Sequence, residues 1–361
     1  MAYTSARGDL GDRTREVLHD WLPPRLTPTG VTALEVSELT APSAGYSGKT
    51  AFFTASWIDQ AGTHHAEELV LRAQADDHQL FTAPDAPRQA EVMRRLGAGG
   101  IPVPEIVGIE RDASILGSPF YLMRRVRGRT PSDVPSWHKR GWTVELSAPE
   151  RELLCDNGLR ALVAVHRIKD ADTLAFLRGE VDEGRTPLQR YLHDLERWYD
   201  WCRADVVVGA DVLATALRVI LDAAPDTAAE TVAWGDARVG NMSFGDDLSV
   251  VALFDWETAG TGPPEVDLGW WLMFERFLCE SLGFTRLPGI PDDDEIVSRY
   301  RQFGGSLTGD IVYYQLVAAF VLSLINNRLA RLLVRDGLDV ATATSYPRMA
   351  AELVQGYLAR I

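Results

Sequence analysis

Hydrophobic and polar positions alternate with different periods in the two parts of this chain. Up to about residue 126 the pattern is mostly that of strands. In Thr50–Ile58, Ala51, Phe53, Ala55 and Trp57 alternate with Phe52, Thr54 and Ser56, the two-residue period of a strand with one buried face. Val31–Leu39, Glu68–Arg72, Glu105–Ile109 and Phe120–Val126 read as further strands of a small antiparallel sheet. Helical spacing covers Gly8–Leu22, stopped by Pro23 and Pro24, and roughly Pro87–Leu96. Ile101-Pro-Val-Pro104 reads as extended, because a residue before proline avoids the helical region.

From about Arg127 apolar residues recur every three or four positions. Ala148–His166, Pro187–Cys202, Asp211–Ala224, Glu265–Leu282, Asp292–Phe303, Asp310–Arg335 and a segment near Pro347–Arg360 are predicted helices. Ser147-Ala-Pro-Glu150 has the form of a capping box, and His166 at the far end of that helix is expected to pack or cap. A hairpin-like insert breaks the helical run, with turn residues Gly245-Asp-Asp247 between Met242–Phe244 and Leu248–Phe254. No repeat or low-complexity tract appears.

Composition narrows the function classes. The 361 residues suit two domains or one two-lobed one, and 46% apolar with 24% charged residues is ordinary for a globular protein. The net charge of −15 argues against nucleic-acid binding; it suits a cationic substrate or, more simply, a solubilising surface. Cys155, Cys202 and Cys279 lie far apart with no C-x-x-C pair, which suggests a reducing compartment and no zinc. The first residues lack the apolar core of a signal peptide. The longest apolar run, Ile311–Ile325, is interrupted by Gln315 and Ser323 and is shorter than the roughly 20 residues that span a bilayer. The expectation is a cytoplasmic protein with no membrane partner; oligomeric state is not readable. The acidic run Asp292-Asp-Asp-Glu295 either faces a cationic acceptor or opens a solvated helix.

The stretch richest in chemistry is Trp234-Gly-Asp-Ala-Arg-Val-Gly-Asn241, with Asp255 fourteen residues later at the end of an apolar run. Phosphoryl transfer from a nucleotide needs a carboxylate to hold the attacking hydroxyl, and a carboxamide with a second carboxylate to hold Mg²⁺. Asp236, Asn241 and Asp255 supply that set, in the D-x-x-x-x-N spacing of a kinase catalytic loop. Arg238, inside the loop, either touches the transferred phosphate or pairs with an acid. Glu257 either leans toward the metal or caps locally.

WGDARVGN followed by LFDWETAGTGPPEVDLGWW resembles the aminoglycoside phosphotransferase family, relatives of protein kinases that phosphorylate small molecules. It also resembles the kinase-like domains found beside acyl-CoA dehydrogenases. That family's motif usually begins with His two residues before the Asp, where this chain has Trp234, which puts the packing of the loop in question. The resemblance implies an α+β, two-lobed protein-kinase-like fold, with an N-lobe of small antiparallel sheet plus helix over 1–125 and a mostly helical C-lobe over 126–361. It implies a glycine turn over the donor phosphates at Gly45, Ser47 and Gly48, and Arg72 in the place of the phosphate-binding strand Lys. Glu91 is then the candidate partner for Arg72, against local pairing with Arg88 or Arg95. Met123 and Val126 border an adenine slot, and Asp267 braces the catalytic and metal loops from behind.

The implied co-substrate is Mg²⁺-ATP or GTP, and the implied partner is a small molecule with a hydroxyl group. Alternatives are a hydroxyacyl-CoA kinase, which would want basic residues such as Arg124, Arg125, Arg127 and Arg129, and a silent pseudokinase. Gly48-Lys49-Thr50 ends like a P-loop, but Ser43 stands where the first glycine belongs and Thr50 opens a strand pattern, not a helix.

Overall fold

The computed structural model describes residues 11–27, 30–41, 49–74, 79–179 and 184–361. These form two compact units, one running to Ala98 with Val103–Val126, the other Gly99–Pro102 with Arg127–Ile361.

The first unit begins with α1 (Asp12–Trp21) and α2 (Pro23–Leu26), followed by β1 (Val31–Val36), β2 (Lys49–Asp59) and β3 (His64–Ala73). Helix α3 (Ala86–Ala98), β4 (Ile106–Glu110) and β5 (Phe120–Arg124) complete it. The five strands form one antiparallel sheet in the order β1-β2-β3-β5-β4. The period-two face of β2 is buried as its pattern predicts: Ala51, Phe53, Ala55 and Trp57 join Leu69 and Leu71 of β3, Phe120 and Leu122 of β5, Leu18 and Trp21 of α1, and Leu22 just after it. Burial of each large apolar side chain contributes on the order of 1.5–3 kcal/mol, so this layer fixes the register of the sheet. Lys49 opens β2 and Thr50 pairs with Arg72, so the stretch runs into a strand and cannot place phosphates at a helix start. Gly45, Ser47 and Gly48 lie outside the described residues.

In the second unit, α4 (Trp142–Glu145), α5 (Ala148–His166), α6 (Ala171–Arg178), α7 (Pro187–Cys202) and α8 (Ala210–Asp222) precede the site. Strands β6 (Thr231–Ala233), β7 (Met242–Phe244), β8 (Val250–Leu253) and β9 (Gly260–Gly262) carry it, and α9 (Glu265–Leu278), α10 (Asp293–Gln302), α11 (Ile311–Arg335), α12 (Val340–Ala343) and α13 (Ser345–Leu358) follow. The four strands form two ribbons, β6 with β9 and β7 with β8. Segment 99–102 groups with this unit, and Leu253 N, at the end of β8, donates to Pro102 O (2.8 Å). Helix α11 is long and apolar enough to cross a membrane by length and composition, yet it packs on α9 and α13 with most of its apolar window buried. The close crossing with α9 is made at Gly269, where a Cβ would meet the Tyr314 backbone at 2.7 Å.

Candidate active site

The short ribbons exist to hold two loops. Strand β6 ends at Ala233, and Trp234 and Gly235 turn the chain toward Asp236. Gly235 has φ +87°, and a Cβ there would collide with Thr258, so both backbone conformation and space demand glycine. Behind this turn Asp267, fully buried in the first turn of α9, accepts from Trp234 N through Oδ2 (2.7 Å) and from Gly235 N through Oδ1 (2.8 Å). His166 Nε2 lies 2.9 Å from the same Oδ2, and His166 Nδ1 lies 2.6 Å from the Tyr300 hydroxyl. Asp267 therefore braces the loop as the resemblance implied. His166 does more than close its helix: it links α5 and α10 to the brace.

Asp236 is itself held on three sides. Oδ1 accepts from Arg238 Nε (2.8 Å) and from Trp270 Nε1 (2.8 Å); Oδ2 accepts from Asn241 Nδ2 (2.7 Å). Asn241 also donates to the Asp236 carbonyl (3.0 Å), so the five-residue spacing closes into one compact loop. With Nδ2 turned inward, the Asn241 carboxamide oxygen accepts no hydrogen bond among the described residues. Arg238 pairs with acids, Asp236 and Asp133. Burial alone would lower the Arg238 pKa, but the two carboxylates outweigh it and hold the guanidinium charged well above its ordinary range. Burial pushes the Asp133 carboxyl up, against the pull of Arg238.

Asp255 follows β8 with φ +61°, a left-handed conformation that a non-glycine residue adopts at a cost of about 1–3 kcal/mol. Its carboxylate adds to the charge that keeps Arg238 protonated. The Trp234 indole occupies the position of the expected His. It stacks on Trp256 (centroids 5.2 Å apart) and donates through Nε1 to the Phe254 carbonyl (2.8 Å), tying the catalytic loop to the residue before Asp255. The question raised by the missing His is thus answered by packing.

Residues 38–295 match the phosphotransferase enzyme family, APH. The chain belongs to that family. Acyl-CoA dehydrogenase family member 11 of Gallus gallus is 30% identical over 211 residues, 58% of this chain and 25% of that protein. Family member 10 of Mus musculus is 26% identical over 204 residues, 56% of this chain and 18% of that one. The matched part of the chain therefore spans a quarter or less of these relatives. Among solved structures, a Ralstonia eutropha protein assigned to the aminoglycoside phosphotransferases superposes with TM-score 0.69 at 22% identity, over 96% of this chain and 98% of that one. A thermostable aminoglycoside phosphotransferase solved with AMP-PNP and hygromycin B gives 0.54 at 17% identity, over 89% and 96%. These structures establish the shared α+β kinase-like fold.

The nucleotide-side residues of the first unit are positioned less simply than expected. Arg72 is the penultimate residue of β3, the middle strand of the sheet, paired in register with Thr50 and Tyr121. Glu91, expected to direct it, has Oε2 engaged by Arg94 and Oε1 by Arg95 (2.9 Å), so the carboxylate serves its own helix. Helix α3 is anchored to the sheet by its neighbour, where Tyr121 OH donates to Gln89 Oε1 (3.0 Å). Met123 is flanked by strands on both sides, opposite Val70 and Ile106, whereas Val126 lies past the end of β5. Sequence reasoning missed Trp270 and Asp133, whose partners lie 34 and 105 positions away. The three cysteines are free and buried, and burial raises the Cys202 thiol to about 11 and the Cys279 thiol to about 12.

Proposed function

We propose that this phosphotransferase moves the γ-phosphate of Mg²⁺-ATP, or GTP, to the hydroxyl of a small molecule. The observation that carries the reading is the lone-pair inventory of Asp236. Oδ1 has two donors and Oδ2 has one, which leaves one acceptor position on Oδ2 for an incoming hydroxyl.

The donor set fits the expected cation. A carboxylate and a carboxamide oxygen are hard ligands, and Mg²⁺ is commonly bound by one or two protein groups with phosphate oxygens and water filling the rest. Asn241 and Asp255 would supply one protein ligand each, with phosphate oxygens and water completing the shell. When bound, the metal would neutralise charge on the donor phosphates. Asp236 accepts a hydrogen bond from the acceptor O–H and orients the oxygen; as the new O–P bond forms and the bond to the nucleoside diphosphate breaks, the proton passes to Oδ2. Arg238 and Trp270 fix the carboxylate against rotation. Arg72 is proposed to bind donor phosphate, and Val126 to border the adenine.

A hydroxyacyl-CoA acceptor draws support from the likeness to acyl-CoA dehydrogenase family members, but two of the arginines expected to receive it are committed. Arg124 pairs with Glu67 and Glu105, and Arg125 with Glu68. The test is calorimetric. Mg²⁺-dependent binding of AMP-PNP should weaken at least tenfold in Asp255→Ala while metal-free binding changes little; equal affinity in both proteins removes Asp255 from the metal.

A further inference from the structure

Helix α9 presents a row of side chains at positions 267, 270, 274 and 277, the three- and four-residue spacing of one helical face. The row begins at the catalytic loop and leads away from it. Asp267 holds the loop amides and Trp270 holds Asp236 Oδ1. Beyond them the face is aromatic: Trp270 and Phe274 lie with ring centroids 5.5 Å apart, Phe274 and Phe277 6.0 Å, and Phe277 and Tyr346 of α13 5.8 Å. Tyr346 is 38% exposed and Phe274 is partly exposed, so the row reaches solvent and is not wholly interior packing. The Arg238 guanidinium lies over Phe274, 4.9 Å from its centroid.

Carboxylates outnumber cations at the start of this row, where Asp133 and Asp236 share the Arg238 guanidinium. Asp133 pairs with Arg238, Glu275 lies 3.0 Å from His138 Nε2, and Asp293 is held by Arg276 and Arg286. Asp292 and Glu295 form a capping box at the start of α10, so the acidic run noted in the sequence opens a helix.

We infer that the acceptor alcohol has an apolar body, aliphatic or aromatic, seated along Phe274 with its hydroxyl at Asp236. This rests on the phosphotransferase reading above and goes further, to the class of acceptor. An apolar face rewards each added methylene by roughly three- to fourfold in affinity until the face is covered.

The experiment uses the whole chain with Mg²⁺-ATP and follows ADP formation. Acceptors are a series of ω-hydroxyalkanoates of increasing length, 3-phenyl-1-propanol and kanamycin. The expected result is a KM that falls about threefold per methylene over several members, with kcat nearly constant, and poor turnover of kanamycin, whose body is polar. Phe274→Ala should raise KM for the long hydroxyalkanoates at least tenfold, with substantial recovery in Phe274→Leu. The length series needs no variant and stands if Phe274→Ala fails to fold. A KM independent of chain length, or preference for kanamycin, overturns the inference and leaves the kinase reading intact. Absence of both Mg²⁺-dependent nucleotide binding and ADP formation overturns the kinase reading itself, and the inference with it.

Discussion

Arg238 lies between two carboxylates, and its removal would strand one of them. Asp133 is already pushed toward the neutral form by burial, with Arg238 as its counterweight. Breaking one side of a buried pair costs about 3–5 kcal/mol, more than replacing both partners. Arg238→Ala should therefore lower the stability measured by urea unfolding by about 3 kcal/mol, and adding Asp133→Asn should restore part of the loss; strictly additive effects would show that the pair is not coupled. At Trp234, Phe keeps the stack on Trp256 but loses the hydrogen bond to Phe254 O, a change of about 1 kcal/mol by the same measurement. Trp234→Ala should cost about 3–5 kcal/mol. The chemistry at this scale was legible because it is local: Asp236, Asn241 and Arg238 fall within six consecutive residues. Trp270 and Asp133 were not, since nothing in their own neighbourhoods distinguishes an indole that binds a carboxylate from one that fills a core.

At the scale of elements, start signals were the most readable. The Ser147–Glu150 box starts α5 as expected, and Thr186 with Gln189 forms another at α7. Helix α6 and strand β9 escaped, the first because eight residues give too little periodicity, the second because Gly260-Thr-Gly262 has no strand propensity of its own. Strand β9 exists because β6 offers it a partner: Thr231 is opposite Gly262, and Thr231 Oγ1 donates to the Gly262 carbonyl (3.1 Å). The brace under the loop joins α9, α5 and α10 through Asp267, His166 and Tyr300, across up to 134 positions of sequence. Replacing Asp267 by Asn turns an N–H group toward a buried donor, at a cost of about 1–3 kcal/mol. The expected outcome for Asp267→Asn is a lower thermal midpoint and a reduced kcat, with less change in KM for ATP. A large loss of nucleotide affinity with unchanged kcat would contradict the bracing role.

For the whole molecule, acid stability should depend on a few buried carboxylates within the −15 net charge. Asp293 joins α10 to Arg276 of α9, to Arg286 and to Gln315 of α11. Burial raises its pKa, but the two arginines and the amide prevail and hold it below the ordinary 3.8. A folded-state pKa depressed in this way stabilises the protein at all pH above the unfolded value, and that stability is lost as pH falls through the folded one. Asp293→Asn should therefore flatten the loss of stability below about pH 4 in an acid titration followed by circular dichroism. A limb as steep as that of the unaltered protein would show that the contribution lies elsewhere. The two-regime pattern of the sequence foreshadowed the two compact units; it could not show that residues 99–102 join the second, because Pro102 acts there through its carbonyl, which any residue would offer.

The most direct test of the central claim follows the phosphate itself. With γ-labelled ATP, Mg²⁺ and a hydroxyalkanoate acceptor, the unaltered protein should yield labelled phosphoester, while Asp236→Asn should bind the nucleotide with similar affinity and lose transfer by at least about a thousandfold, within the range attributed to positioning and proton acceptance. Transfer in Asp236→Asn within tenfold of the unaltered rate would contradict the account.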